Sequence, residues 1–176
     1  NSTSIPVTLL STPLCIDPKG NEGLNPQKTE PTNPLYSLDK QQSSLVYYDK
    51  NTIVLTMPYW VKVTNSSVED SEVKKHSFVL SYDPEAMTAS DTKLKLYISH
   101  VVEDAGETVT RSNFTYAYRA YSIRAALAAF KEKTGKLPKY LELTAEINNS
   151  KDELVDKDGK ETSVERSVEY DYAFTE

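Results

Sequence analysis

Apolar side chains occupy every second position along most of this chain, and a helical spacing replaces that alternation once. Residues 114–118 carry an aromatic ring at each alternate position, as one face of a β-strand does. Over residues 122–134 the apolar positions instead recur every three or four residues, which places them along one side of a helix. Ser122 is the predicted N-cap and Gly135 the predicted C-terminal stop. The pattern therefore predicts one α-helix near residues 122–134, lying between strands.

The two-residue alternation elsewhere predicts about eight strands and no internal repeat. Residues 53–63 are apolar on both faces, which predicts a central strand covered twice, and Pro58 predicts a bulge or break within it. Asp158 followed by Gly159 is typical of a hairpin tip and predicts a ribbon that projects into solvent at about residues 150–166. The clearest strands are predicted near residues 45–48, 52–63, 76–82, 94–98, 108–121, 139–147 and 167–174.

This order of elements predicts a mainly β protein. An antiparallel β-sandwich, of which a jelly roll is one form, accommodates the strands and the one helix best. The alternative is a single curved sheet packed on the helix. A chain of 176 residues fits one domain, which is predicted over residues 41–176. The predicted hairpin is acidic, because residues 149–176 hold four basic and nine acidic side chains. This segment therefore carries most of the net charge of −6 of the whole chain.

The first forty residues are predicted to form an extended arm outside the core. They contain six of the nine prolines, and proline removes backbone donors that a central strand or helix would need. Ile5, Val7 and Leu9 alternate with their neighbours and give the arm one apolar edge. That edge would pair either with the sheet of its own domain or with a neighbouring copy of the chain, and it is the predicted assembly interface.

Composition excludes several classes of partner. A nucleic-acid binder needs a basic face to displace counterions, and a chain with a net charge of −6 shows none. No apolar run approaches the length of about 18 residues that a membrane span requires. Cys15 is the only cysteine, so neither an internal disulfide nor a zinc-type spacing can form. We expect no metal and no cofactor.

No arrangement of residues predicts catalysis. The two histidines, His76 and His100, each lie in a predicted strand, and Cys15 lies far upstream in the arm. The chain has only five glycines and no nucleophile-elbow motif. We therefore expect that the protein is not an enzyme and assign no catalytic residue.

Aromatic residues are more numerous than one small core needs. The chain has 12 Tyr, 4 Phe and 1 Trp, and tyrosine suits interfaces because its ring is apolar and its hydroxyl is polar. Tyr59 and Trp60 are the predicted platform for a glycan or protein ligand, although most individual rings are expected to fill the core.

These observations lead to a structural interpretation. The predicted function is a non-enzymatic subunit of a surface or particle assembly, a filament or shell, that self-associates through its arm into a homo-oligomer. The expected location is extracellular, at a cell surface or at a virion surface. An extracellular binding module that uses exposed Tyr and Trp is the second hypothesis, and an enzyme of unrecognised type is the last.

Overall fold

Seven strands and two helices form in the part of the chain that the computed structural model describes, residues 33–104, 109–149 and 163–174. The strands are β1 (Ser44–Asp49), β2 (Thr52–Val61), β3 (His76–Ser81), β4 (Lys93–Val102), β5 (Asn113–Ser122), β6 (Tyr140–Ile147) and β7 (Val164–Asp171). The helices are α1 (Asp70–Val73) and α2 (Arg124–Thr134). The protein is mainly β, as predicted.

Two sheets enclose the core in a sandwich-like arrangement. One has the strand order β1-β2-β5 and the other the order β3-β4-β6-β7. All neighbours are antiparallel except β4 and β6, which run parallel. The prediction of an antiparallel sandwich is therefore confirmed with one difference. Parallel strands need a long crossover, and β5 together with α2 supplies it between β4 and β6. A jelly roll pairs antiparallel strands, so this pair departs from that form.

The core lies on the apolar faces that the alternation predicts. Its fully buried side chains include Ile53, Leu55, Leu94, Leu96 and Leu141, which come from one strand of the first sheet and two of the second. Burying each such side chain stabilises the fold by about 1.5–3 kcal/mol. Since side chains alternate between the faces of a strand, a one-residue slip in register would turn this whole set outward.

Strand β2 differs from its prediction at Pro58. The register between β2 and β5 runs without interruption from Thr52 to Val61, so there is no bulge or break. The partner on the other side, β1, reaches only Thr56. No β1 residue lies opposite Pro58, so the missing amide hydrogen of Pro58 costs no hydrogen bond to β1. Both faces of β2 are covered only over its last five residues.

Helix α2 confirms the predicted helix, with a different start. It begins at Arg124, and the N-cap is Ile123 rather than Ser122, which is the last residue of β5. The strand passes directly into the helix, since Ile123 alone separates them. The Ile123 N–H donates to the carbonyl oxygen of Asn51 at 2.7 Å. Gly135 ends the helix in the left-handed conformation at φ 73°, as expected for a C-terminal stop.

Helix α1 was not predicted. It forms a single turn within residues 65–75, which the sequence pattern indicates as a polar loop. Glu72, inside this turn, is buried. From the sequence alone, nothing indicates that a charged residue in a short polar segment is buried.

Residues 33–38, which we call the N-terminal strap, belong to the core rather than to an arm. Leu35 is fully buried, its N–H donates to Glu146 O at 2.9 Å, and its carbonyl accepts from Asn148 N–H at 2.8 Å. The Tyr36 N–H donates to Pro58 O at 3.0 Å, so the strap joins the two sheets. The predicted arm boundary at residue 40 therefore lies too late in the chain. The rest of the arm, with Ile5, Val7 and Leu9, lies outside the described residues, as does the tip of the acidic hairpin.

Candidate functional site

The predicted platform of Tyr59 and Trp60 is not exposed. Tyr59 is 2% exposed and lies in the core against the rings of His76 and Phe78, with centroids at 4.7 and 5.1 Å. Trp60 is 3% exposed, and its Nε1–H donates to Asn148 O at 2.7 Å. The Tyr36 ring of the strap meets Trp60 edge-on at 5.0 Å and covers it. The sequence pattern predicted these rings as a ligand platform because it gives no sign that the strap folds over them.

An exposed set of rings lies instead on β5. Phe114, Tyr116 and Tyr118, which we call the aromatic row, are 42%, 41% and 50% exposed. Tyr36 stacks on Phe114 with a centroid distance of 4.1 Å and an interplanar angle of 7°, and Phe114 meets Tyr116 edge-on at 5.9 Å. The alternation in residues 114–118 predicted this shared face, but not that the face would be outward.

The strand that carries the aromatic row is also a sheet edge. β5 is ten residues long, pairs only with β2 among the described strands, and keeps a regular register with it throughout. The other edges are shorter: β1 and β3 have six residues each, β1 has an irregular register at Tyr47 and Asp49, and β7 has eight residues. A long, regular edge with apolar outward side chains is suited to accept another strand.

A second candidate is a buried group of charged and imidazole side chains. We call Glu72, His76, His100, Asp104 and Arg111 the histidine cluster. His76 Nδ1 lies 2.9 Å from His100 Nε2, and His76 Nε2 lies 3.2 Å from Glu72 Oε1. Arg111 donates through Nε to Glu72 Oε1 at 2.7 Å and through both terminal nitrogens to the two Asp104 oxygens at 2.6 and 2.7 Å. The cluster therefore ties α1, β3, β4 and the segment before β5 together.

The protonation states in the cluster follow from burial and from the ion pairs. Burial by itself would raise the pKa of Glu72, but bonds from Lys62 N–H, Arg111 and His76 outweigh it and lower that pKa. The bonds from Arg111 lower the pKa of Asp104. Burial lowers the pKa of His76, and it lowers the pKa of His100 to about 3. At neutral pH the cluster thus holds two carboxylates, one guanidinium and two neutral imidazoles.

Core side chains enclose the two histidines of the cluster. Both histidines are buried, and the rings of Phe78 and Tyr59 pack against His100 at 4.8 and 5.7 Å. The described residues contain no group of three or more His, Cys, Asp and Glu side chains placed to hold a metal ion. Cys15 lies outside the described residues. No local sequence pattern predicts the cluster, because Glu72 and Arg111 are 39 residues apart and His76 and His100 meet only through the β3–β4 register.

Comparison with known proteins gives a fold relative. No protein-family model matches the sequence, and no curated protein matches it. A solved structure from Bacteroides fragilis, described as a "putative lipoprotein", is similar at 28% sequence identity with a TM-score of 0.67. The match covers 82% of this chain and 64% of that one, so the chain spans less than two thirds of that relative. An uncharacterised protein from Parabacteroides merdae matches at 12% identity and a TM-score of 0.45, over 87% of this chain and 64% of that one.

Two helices lie within the described residues, and neither fits a membrane span. Neither α1 nor α2 has the length and apolar character that a membrane-spanning helix requires.

Proposed function

We propose that this chain is a non-enzymatic subunit of the cell envelope whose copies join by strand addition at the β5 edge. The description of the Bacteroides fragilis relative as a "putative lipoprotein" supports the cell-envelope location. The arm of one copy, residues 1–32, supplies the added strand to the next copy.

The β5 edge is the observation that carries this proposal. An edge strand presents a row of backbone N–H and C=O groups that a second strand can pair with. Strand addition takes its affinity from those main-chain bonds and its specificity from alternate side chains. On β5 the outward alternate positions are Phe114, Tyr116 and Tyr118, which an added apolar strand would shield from water.

The arm has the sequence and the reach for this role. Ile5, Val7 and Leu9 provide one apolar edge at strand spacing. Thirty-two extended residues span up to about 100 Å, which is enough to reach a neighbouring copy. An arm that pairs with the β5 edge of another copy makes a head-to-tail contact, and such contacts build rings or filaments.

The non-enzymatic part of the proposal rests on the histidines. The chain has only two, and both lie at the centre of the histidine cluster with 5% or less of their surface exposed. A general base must lie within hydrogen-bond reach of its substrate, and burial of this kind denies that contact.

The test removes the arm and keeps the strap. Deleting residues 1–32 leaves Leu35 and Leu38 in place, whereas deletion to residue 40 would remove both from the core. We expect the full chain to assemble and the shortened chain to be a folded monomer in analytical ultracentrifugation. A synthetic peptide of residues 1–12 should bind the shortened chain.

A matched pair of variants locates the acceptor edge. Tyr116→Arg places a charge in the middle of the aromatic row and should abolish assembly and peptide binding. Val46→Arg places the same charge on β1, the opposite edge of the same sheet, at a position that is 58% exposed, and should change neither. A monomeric full chain would reject strand addition and leave the aromatic row as a surface for a glycan or protein ligand. Equal loss in both variants would reject β5 as the acceptor.

A further inference from the structure

The N-terminal strap is the cover of one buried histidine. The Asn33 N–H donates to His100 O at 2.6 Å, and Asn33 Oδ1 accepts from Val102 N–H at 3.1 Å. The carbonyl oxygen of Pro34 lies 3.4 Å from His100 Nδ1. His100 is 2% exposed with the strap in place, so lifting the strap would bring water to its ring.

Charged and titratable groups surround the two histidines on several sides. The groups that face the pair or its packing rings are Glu72 in α1, Lys75 after α1, Asp104 after β4, Arg111 before β5, Tyr59 in β2 and Arg119 in β5. Arg111 and, once it is protonated, His76 oppose a positive charge on His100, whereas the carboxylates already bind Arg111 and Lys75. With the strap closed, the surroundings of His100 therefore favour the neutral ring over the protonated one.

We propose that the strap is a latch that acid opens, because a protonated His100 is accommodated when the strap is lifted and water reaches the ring. The inference does not depend on strand addition. It concerns a conformational change of residues 33–38 within the domain itself.

One hydrogen bond would oppose opening in acid. Its strength relative to the effects that disfavour a protonated His100 decides whether acid opens or tightens the strap. A proton on His100 Nδ1 would allow the ring to donate to Pro34 O and would hold the strap more tightly. Burial and the positive charges of Arg111 and of protonated His76 outweigh that bond, since the pKa of His100 is lowered to about 3 in the closed form. In an open form the ring meets water, and its pKa returns toward about 6.5.

The direction of the pH effect follows from this difference. The closed form binds the proton less tightly than the open form, so between about pH 6.5 and about pH 3 acid favours opening. Each pH unit below about 6.5 shifts the ratio of open to closed forms about tenfold for one proton. The same shift would loosen the tie that the strap makes between the two sheets at Leu35.

Hydrogen exchange measures the opening directly. The amide hydrogens of Leu35 and Asn148 bond across the strap, to Glu146 O and Leu35 O. Their protection factors, corrected for the intrinsic rates, should fall about tenfold per pH unit between about pH 6.5 and about pH 4.5. The amide of Leu96 in β4, inside the second sheet, reports global unfolding and should keep a higher protection factor across this range.

A variant and a titration decide whether His100 is responsible. His100→Gln should remove the pH slope at Leu35 and Asn148 while the Leu96 amide stays protected. If that variant does not fold, the imidazole of His100 is titrated by nuclear magnetic resonance in the unaltered protein, where it should stay neutral for as long as the strap amides stay protected. Protonation of His100 near pH 6.5 with the Leu35 amide still protected would overturn the proposal, as would a pH slope that persists in His100→Gln.

Discussion

The edge strands β5 and β7 lie in opposite sheets and present opposite surfaces. The outward positions of β5 carry Phe114, Tyr116 and Tyr118, while the corresponding alternate positions of β7 include Glu165, Glu169 and Asp171. Charges along an edge discourage pairing with another chain, because an added strand would have to desolvate them. β7 therefore has a charged edge surface, whereas β5 has the aromatic edge surface for which we propose strand addition.

The two strands are also anchored differently. Arg111, two residues before β5, makes a buried ion pair with Glu72 and a half-buried one with Asp104. On β7, Glu169 makes an exposed ion pair with Lys93, and the backbone oxygen of Asp171 accepts from the Tyr47 hydroxyl at 2.9 Å. The aromatic edge is thus anchored by ion pairs that are more buried than the ion pair on β7. Contiguous exposed aromatic rings are typical of interaction surfaces, which agrees with the binding role that we propose for β5.

The largest effect is expected from breaking the anchor of β5. Arg111→Ala leaves the Glu72 and Asp104 carboxylates without their main cation, and removing one partner of a buried ion pair costs about 3–5 kcal/mol of stability. Urea unfolding followed by circular dichroism measures the loss. Arg119→Ala is the matched control on β5, because this side chain contacts a backbone carbonyl and the Phe78 ring. Equal losses in the two variants would contradict a special role for the buried pairs.

A smaller effect is expected from removing the charges of β7. We predict that Glu165→Thr, Glu169→Thr and Asp171→Thr together, in the chain that lacks residues 1–32, produce weak self-association. Like charges opposed across a strand pair cost about 0.2–1 kcal/mol each, so removing three should favour association about tenfold. Sedimentation velocity over a range of protein concentrations measures this. If the variant remains as monomeric as its parent, charge is not what protects this edge.

The smallest effect is expected at the surface ion pair of β7. Lys93 is 44% exposed in its side chain and contacts Glu169 at 2.6 Å and Glu142 at 3.5 Å. Exposed pairs gain little because water and salt screen them. Lys93→Ala should leave the urea midpoint unchanged within error, and raising the salt concentration should have the same effect on variant and parent. A loss comparable to that of Arg111→Ala would remove the contrast between the two anchors.

Local patterns predicted the features that depend on neighbouring residues. The helical spacing and Gly135 placed α2 within two residues of its observed start and at its observed end, because the cap and the apolar face are encoded close together in the chain. The alternation of apolar residues identified the core faces of β2, β4 and β6 for the same reason. The part of the candidate site that followed from sequence is the shared face of the aromatic row.

Features that depend on distant contacts were missed. Trp60 looked suited to an exposed platform because its cover, Tyr36, lies 24 residues earlier in a segment with no strand pattern. The histidine cluster brings together residues from positions 72 to 111, and no local pattern signals such a meeting. The parallel pairing of β4 with β6 likewise depends on the path of the chain between them.

The amino-acid sequence by itself determined which side chains alternate along the strands and where one helix ends. The tertiary structure decided which face of each strand meets solvent, which edges remain open and which charges are buried together. The physical reason is range: helix caps and strand periodicity act over a few residues, whereas exposure and ion pairing depend on segments that only the folded chain brings into contact.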